Sequence, residues 1–101
     1  MYGTVCHFRV KPGMKNAIEA INGEHESVSI IGLHSEHVFQ LDRDSDEYYL
    51  VVIFDSEEAY KRNATSPDQD ARYRKLRELL VADPEWNDGT VVHSRMRENV
   101  R

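Results

Sequence analysis

The 101-residue sequence predicts an α+β fold in which one antiparallel sheet of βαββαβ order is covered by helices on one side. Two observations lead to this prediction. Segments rich in β-forming residues alternate with segments whose apolar residues recur at helical spacing. The connection DRDSD between the second and third strands is too short for a parallel crossover, so those strands pair as antiparallel neighbours. We expect a single domain over residues 1–101, because a chain of this length builds one small core.

The first two elements are a strand and a helix. Gly3 to Val10 is rich in β-forming residues and runs into the turn residues Lys11 to Gly13, which predicts the first strand. Apolar residues then recur at i, i+3, i+4 and i+7, the spacing of one buried helical stripe, until Asn22-Gly23 weakens or ends the helix. The stripe consists of Met14, Ala17, Ile18 and Ile21.

The second and third strands form a hairpin. From Gly32 to Leu41 the side chains alternate as in a strand with two unequal faces. One face carries Leu33, Ser35, His37, Phe39 and Leu41, and the other carries His34, Glu36, Val38 and Gln40. We place the first set on the side covered by helices. The apolar segment YYLVVIF, from Tyr48 to Phe54, pairs with this strand.

The second helix is predicted in two pieces. Asp55 suits the N-cap of the first piece, with Glu58 as a capping-box partner. Ser66-Pro67 restarts the helix, because serine suits the N-cap and proline the first helical position. Asp83-Pro84 ends it, since the residue before proline avoids the helical region. The inner faces carry Ala59, Tyr60, Asn63 and Ala64 in the first piece, and Tyr73, Leu76, Leu79 and Leu80 in the second.

The end of the chain and the uncovered face of the sheet complete the predicted architecture. Thr90 to Met96 is predicted as the last strand, and Glu98 to Arg101 as a loose tail. The face turned away from the helices keeps several apolar residues, namely Val5, Val38, Tyr49, Val51, Ile53 and Val91. Burying apolar area is worth about 25 cal/mol per Å². We therefore expect a homodimer in which a second copy covers this face.

Composition and charge exclude several classes of protein. The formal net charge is -5, and the cationic residues are scattered among acids rather than gathered in a stripe, so we expect no nucleic-acid partner. Cys6 is alone and no apolar leader opens the chain, which predicts a cytoplasmic protein without disulfides. The longest apolar run, YYLVVIF, is too short for a membrane span.

Three local features together resemble a known family. The first strand ends in Val10-Lys11-Pro12-Gly13, the third strand passes directly into the segment Asp55 to Tyr60, and Ser66-Pro67 restarts the second helix. In these features the chain resembles the antibiotic biosynthesis monooxygenase-like domains of the dimeric α+β barrel superfamily. The resemblance implies a ferredoxin-like fold and a homodimer. It also implies a monooxygenase that acts on aromatic or polyphenolic substrates without a cofactor, although many relatives have no known activity.

One branch of that family degrades haem, and its residues are missing here. The branch has an Asn on the first strand, a Trp on the helix after the third strand and a His further along. The corresponding positions hold Cys6, Asn63 and Tyr73. Without the His there is no evident axial ligand for the iron, and without the Trp there is no bulk against the porphyrin. We expect that haem is not a substrate.

The space between sheet and helices is the predicted site. Its expected polar groups are His37, Asn63 and Tyr73, to which we assign catalytic roles, and the expected substrate-binding walls are Cys6, Phe8, Phe39, Phe54 and Leu76. Each assignment has an alternative. His37 can be a hydrogen-bonded core histidine, Asn63 can bond across the helix break, and Cys6 can be inert packing. Trp86 is expected as a loop aromatic at the rim.

The sequence leaves two functions open. In the first, the pocket belongs to an enzyme in which an electron-rich phenol reacts with oxygen without flavin or metal. In the second, the chain is a homodimer of the same fold that binds a small ligand or has a purely structural role. The pair His34 and His37 suggests a metal, but residues three apart on a strand point to opposite faces, so we predict no metal site.

Overall fold

The computed structural model describes residues 1–97, and the predicted tail from Glu98 to Arg101 lies outside them. Within this part, four strands form one antiparallel sheet in the order β2-β3-β1-β4. The elements are β1 (Tyr2–Arg9), α1 (Lys15–Glu26), β2 (Leu33–Gln40), β3 (Glu47–Phe54), α2 (Glu57–Ala64), α3 (Pro67–Arg77) and β4 (Asp88–Thr90). The predicted α+β, ferredoxin-like order is confirmed, with the second helix divided into α2 and α3.

The helix boundaries differ from the prediction in two places. The N-cap of α2 is Ser56, whose Oγ accepts a hydrogen bond of 3.1 Å from the Ala59 N–H, and not Asp55. Helix α1 continues through Gly23 to Glu26. Gly23 has open space around its Cα, and one exposed glycine costs a helix only about 1 kcal/mol. Ser66 and Pro67 begin α3 as predicted.

A β-bulge in β2 changes the face on which its later residues lie. Leu33 pairs with Phe54 and Ser35 with Ile53, so His34 is an extra residue between two adjacent pairs. One inserted residue moves every following side chain to the other face. Val38 therefore pairs with the helix-side residue Leu50, while residues 37 and 39 join the opposite side of the sheet. The prediction of unbroken alternation was wrong for this strand.

All three helices pack on one face of the sheet. The core at one end of this layer contains Cys6, Phe8, Val10, Ile18, Tyr48 and Leu80. The rings of Phe8 and Tyr48 stack with centroids 5.4 Å apart. At the other end α2 approaches the residue before β2 so closely that a Cβ on Gly32 would lie 2.6 Å from the Ala59 Cβ. The dense packing at one end leaves the open space of the layer nearer to α2 and α3.

The opposite face of the sheet, which we call the outer face, has no helix of residues 1–97 against it. Its members include Val5, His7, His37, Phe39, Tyr49, Val51 and Ile53. Phe39 is 56% exposed and Val5 is 44% exposed. At one end the buried Glu47 carboxylate is held by Arg43 through two hydrogen bonds of 3.0 and 2.7 Å and by His7 at 2.7 Å. Most of the outer face is therefore apolar, with an ionic cluster at its edge.

The last strand is shorter than predicted. β4 pairs with β1 over Asp88–Thr90, an antiparallel bridge between Glu85 and His7 precedes it, and the Val91 N–H donates to the Met1 carbonyl at 2.9 Å. Continuing this register would carry residues 92–97 past Met1, where no described residue can pair with them. The predicted strand from Thr90 to Met96 was therefore wrong beyond residue 91. No helix within residues 1–97 has the length and apolar character needed to cross a membrane.

Candidate functional site

A cavity of about 420 Å³ lies between the sheet and the two helices α2 and α3. This volume falls within the range of sites for small organic molecules, about 300 to 1,000 Å³. Apolar and aromatic side chains form most of its wall. The lining residues are Thr4, Leu50, Val52, Phe54, Tyr60, Asn63, Ala64, Gln69, Asp70, Tyr73 and Trp86. A narrower space of about 70 Å³ continues from it toward α1 and reaches Leu76 and Arg72.

Asn63 and Tyr73 bring polar groups into the cavity from its helix side. Asn63 is on the last turn of α2 and Tyr73 is in the middle of α3. Neither the Asn63 amide nor the Tyr73 hydroxyl has a hydrogen-bond partner among residues 1–97. The helix break is closed instead by main-chain bonding, in which the Ser66 N–H donates to the Asn63 carbonyl at 3.0 Å. The Tyr73 ring lies 6.1 Å from that of Trp86, so an aromatic wall adjoins the two polar groups.

A second polar pair joins helix α2 to strand β4 beside the cavity. The Tyr60 hydroxyl donates to the Asp88 carboxylate at 2.8 Å. Burial, and then the hydrogen bond to Asp88, raise the pKa of the Tyr60 phenol well above its ordinary value. A weaker side-chain hydrogen bond from the fully buried Thr4 hydroxyl acts on the Tyr60 pKa in the opposite direction. Tyr60 therefore stays protonated at neutral pH and cannot serve as a base.

The structure brings together only part of the predicted site. Asn63, Tyr73 and Phe54 line the cavity, and Leu76 lines its narrow extension. His37 and Phe39 are on the outer face because of the bulge, which corrects their expected place beside the helices. Their side chains cannot contact a molecule in the cavity of the same subunit.

Cys6 and Phe8 are in the dense core rather than at the cavity wall. Cys6 is 1% exposed and Phe8 is 5% exposed. Burial, with smaller contributions from Asp88 and Glu85, raises the pKa of the Cys6 thiol to about 12. A thiol with this pKa is almost wholly protonated at neutral pH and is a poor nucleophile. The structure therefore places both residues in packing positions.

Several lining residues were not predicted from the sequence. Leu50 and Val52 share a face with Phe54 in the alternation of β3, and Thr4 shares the register of Cys6, so strand periodicity could have identified them. Trp86 was expected only as a loop aromatic at the rim, and it lines the cavity. No group of three or more potential metal ligands occurs in the described part of the chain.

The chain matches a known protein family in sequence and solved members of it in fold. The family model described as "Antibiotic biosynthesis monooxygenase" matches residues 1–75. No curated protein sequence matches the chain. The fold is similar to a variant of SnoaB, a cofactor-independent oxygenase from Streptomyces nogalater, with a TM-score of 0.79, 15% identity, and coverage of 92% of this chain and 94% of that one.

Two further solved structures support the similarity of fold. A candidate antibiotic biosynthesis monooxygenase from Chloroflexus aurantiacus J-10-fl has 27% identity and a TM-score of 0.70, over 92% of this chain and 96% of that one. A conserved protein from Methanosarcina mazei Go1 has 17% identity and a TM-score of 0.77, over 87% of this chain and 89% of that one. The likeness extends over nearly the whole of each chain.

Proposed function

Because the chain belongs to the antibiotic biosynthesis monooxygenase family, we propose that it is a cofactor-independent monooxygenase, or a related small-molecule enzyme, that acts on a hydroxylated aromatic compound in the cavity. One observation carries this proposal. The cavity has an aromatic wall, and beside it the side chains of Asn63 and Tyr73 present polar groups with no partner in residues 1–97. Unpaired polar groups in an apolar pocket are typical of a site that orients a small ligand.

The proposed reaction needs little from the protein beyond binding and orientation. An electron-rich phenol supplies the electrons itself: 1-naphthol and O₂ give 1,4-naphthoquinone and water, with one oxygen atom entering the ring and no external reductant. Asn63 and Tyr73 would fix the ring and hold its oxygen by hydrogen bonds. His37 is not assigned a role here, because it lies on the outer face. Removal of the substrate protons is left to solvent, which reaches the open mouth of the cavity.

The experiment that tests the proposal compares variants of the two polar residues. Oxygen uptake with 1-naphthol is measured for the wild type, Asn63→Ala and Tyr73→Phe, with Asn16→Ala in the exposed first turn of α1 as the matched control. We expect each cavity variant to lower kcat/KM about tenfold or more, the effect of one lost hydrogen bond of about 1.4 kcal/mol. If both variants lower only the melting temperature and leave turnover unchanged, Asn63 and Tyr73 are structural and the proposed site is wrong.

A second function, ligand binding without catalysis, is favoured by one specific observation. The one carboxylate among the residues that line the cavity, Asp70, is paired with Arg74 at 2.9 Å, burial keeps the Tyr60 phenol protonated, and the Cys6 thiol lies in the core, so these three side chains offer no unpaired general base. A ligand-binding homodimer of the same fold would need no such group. Binding of 1-naphthol without oxygen uptake would select this function over the monooxygenase.

We also propose that the protein is a homodimer joined through its outer faces. The helices all pack on the other side of the sheet, so this face, with the exposed side chains of Val5 and Phe39, is left to solvent in a single chain. A second copy presents the same apolar surface, and a two-fold axis lets each cover the other. Val38, expected on this face, is on the helix side, and Phe39 takes its place. The cytoplasmic location stays a prediction from the sequence.

A further inference from the structure

One arginine on the cavity side of α3 lacks the carboxylate partner that the other arginines of the sheet and helices have. Five arginines between residues 9 and 77 each form an ion pair with an aspartate or glutamate, namely Arg9, Arg43, Arg62, Arg74 and Arg77. Arg72 forms no ion pair within residues 1–97, although the chain has an excess of acids and a net charge of -5. It is half-buried and lines the narrow extension of the cavity. A partly buried cation without a counter-ion favours the binding of an anion.

Gln69 fixes the orientation of the Arg72 guanidinium. The Gln69 side-chain carbonyl accepts hydrogen bonds from Arg72 Nε at 3.3 Å and from Nη2 at 3.0 Å. These bonds occupy the side edge of the planar group, and because the amide is neutral they leave the positive charge uncompensated. The end edge, formed by Nη1 and the second Nη2 hydrogen, has no partner in the part of the chain that the structure describes. A carboxylate can accept two parallel hydrogen bonds from such an edge.

The space beside Arg72 is continuous with the proposed aromatic site. The extension of about 70 Å³ shares Asn63 and Tyr73, among other residues, with the wall of the main cavity. A space this narrow suits a small planar carboxylate better than a tetrahedral phosphate or sulfonate. Glu36 also lines the extension, but its Oε1 is 3.9 Å from His25 Nδ1 and it forms no ion pair with the guanidinium. The end edge of Arg72 is therefore left for a ligand.

We propose that Arg72 determines specificity by binding the carboxylate of an aromatic hydroxy acid, whose ring lies in the cavity and whose hydroxyl group is held by Asn63 and Tyr73. This inference rests on the proposed function, since it takes an aromatic molecule to occupy the cavity, and it narrows the substrate class to hydroxylated aromatic carboxylates. A neutral phenol enters the same cavity but leaves the guanidinium without a counter-ion. Arg72 selects and orients the ligand and takes no part in proton or electron transfer.

The test compares the binding of 1-hydroxy-2-naphthoate with that of 1-hydroxy-2-naphthamide, which has nearly the same shape and no charge. Dissociation constants are measured without oxygen by titration calorimetry at neutral pH, where the acid is ionised. We expect the wild type to prefer the acid at least tenfold, and Arg72→Gln to reduce this preference to about onefold. The matched control is Lys75→Gln, which removes the same charge from an exposed side chain of α3 and should retain the preference.

Two measurements on the wild type keep the inference testable if Arg72→Gln does not fold. 1-Naphthol should compete with the acid, because both compounds place their rings in the same cavity. Raising the salt concentration from about 0.05 to about 0.5 M should reduce the preference for the acid severalfold, because the preference arises from charge. Simultaneous binding of the acid and 1-naphthol, or a preference that does not change with salt, would overturn the role of Arg72.

The outcomes separate this inference from the function on which it rests. If the wild type binds the acid and the amide equally, or if Arg72→Gln keeps the full preference, the carboxylate site is wrong while an aromatic ligand in the cavity still stands. If the wild type binds none of the three compounds at millimolar concentration, the aromatic ligand of the proposed function and the role of Arg72 are both overturned. Loss of the preference in Lys75→Gln as well would assign it to net charge and contradict the site. A preference that is lost in Arg72→Gln and kept in Lys75→Gln supports the assignment.

Discussion

A negative charge at position 39 is expected to separate the dimer, and the same charge at position 38 is not. Phe39 and Val38 are neighbours on the edge strand β2, and in a single chain they are 56% and 38% exposed. Both positions are accessible, so Phe39→Glu and Val38→Glu should leave the fold of one subunit nearly unchanged. Only Phe39 lies on the outer face, because of the bulge at His34. The two variants therefore test the interface and the strand register together.

The magnitude follows from the exposed area of the phenylalanine. A phenylalanine buries about 200 Å², so an exposed fraction of 56% leaves about 110 Å² for a second copy to cover. At about 25 cal/mol per Å² this is roughly 2.8 kcal/mol per subunit, and a symmetric dimer contains the contact twice. Losing about 5.6 kcal/mol raises the dissociation constant about 10⁴-fold, before the cost of burying the new carboxylates.

Sedimentation equilibrium across a concentration series measures this change, with circular dichroism melting curves as the check on folding. We expect Phe39→Glu to be monomeric at micromolar concentration and Val38→Glu to remain a dimer. The reverse result would mean that β2 has no bulge and that the two side chains exchange faces. Dimers for both variants would place the interface elsewhere, and a monomeric wild type would refute the homodimer itself.

Three further predictions concern the fold and its titrating groups. Burial raises the pKa of Cys6 to about 12, so its thiol should react with iodoacetamide at pH 8 at least a hundredfold more slowly in the native protein than in denaturant. Equal rates would show that the thiol is accessible. In urea unfolding, Gly32→Ala should destabilise the protein by about 1 to 3 kcal/mol, because φ at this residue is +81° and the new Cβ would lie 2.6 Å from that of Ala59. The control Gly23→Ala should be neutral or stabilising, since Gly23 has open space around it. Hydrogen bonds, chiefly from Arg43, lower the pKa of Glu47 to about 2, so the stability that its charge provides is present above about pH 4.5 and is lost as the pH falls toward 2. Glu47→Gln should melt below the wild type at pH 7 and match it near pH 2, and a difference that does not change with pH would contradict this.

The order and pairing of the elements could be predicted because local signals agree with the fold. The short connection DRDSD requires a hairpin, and Ser66-Pro67 marks the start of α3 at the correct residue. The bulge at His34 could not be predicted, because a single inserted residue leaves no distinct sequence signal and its cause is tertiary. Its effect was large, since it moved His37 from the predicted pocket to the outer face.

The site could be predicted only in part from the sequence. Asn63 and Tyr73 face inward because helical periodicity places them on the inner stripes, and that periodicity is legible in the sequence. Whether a residue on the helix side of the sheet meets open space or dense packing depends on the shapes of its neighbours. Cys6 and Thr4 share one register on β1, yet the first is packed in the core and the second lines the cavity.

Isotope labelling tests the proposed monooxygenase most directly. The wild-type protein is incubated with 1-naphthol under ¹⁸O₂ in unlabelled water, and the quinone is analysed by mass spectrometry, with Asn63→Ala as the comparison. We expect enzyme-dependent product in which one oxygen atom is ¹⁸O, formed at least tenfold more slowly by the variant. Product that appears at the same rate without protein, or that takes its new oxygen from water, would contradict it.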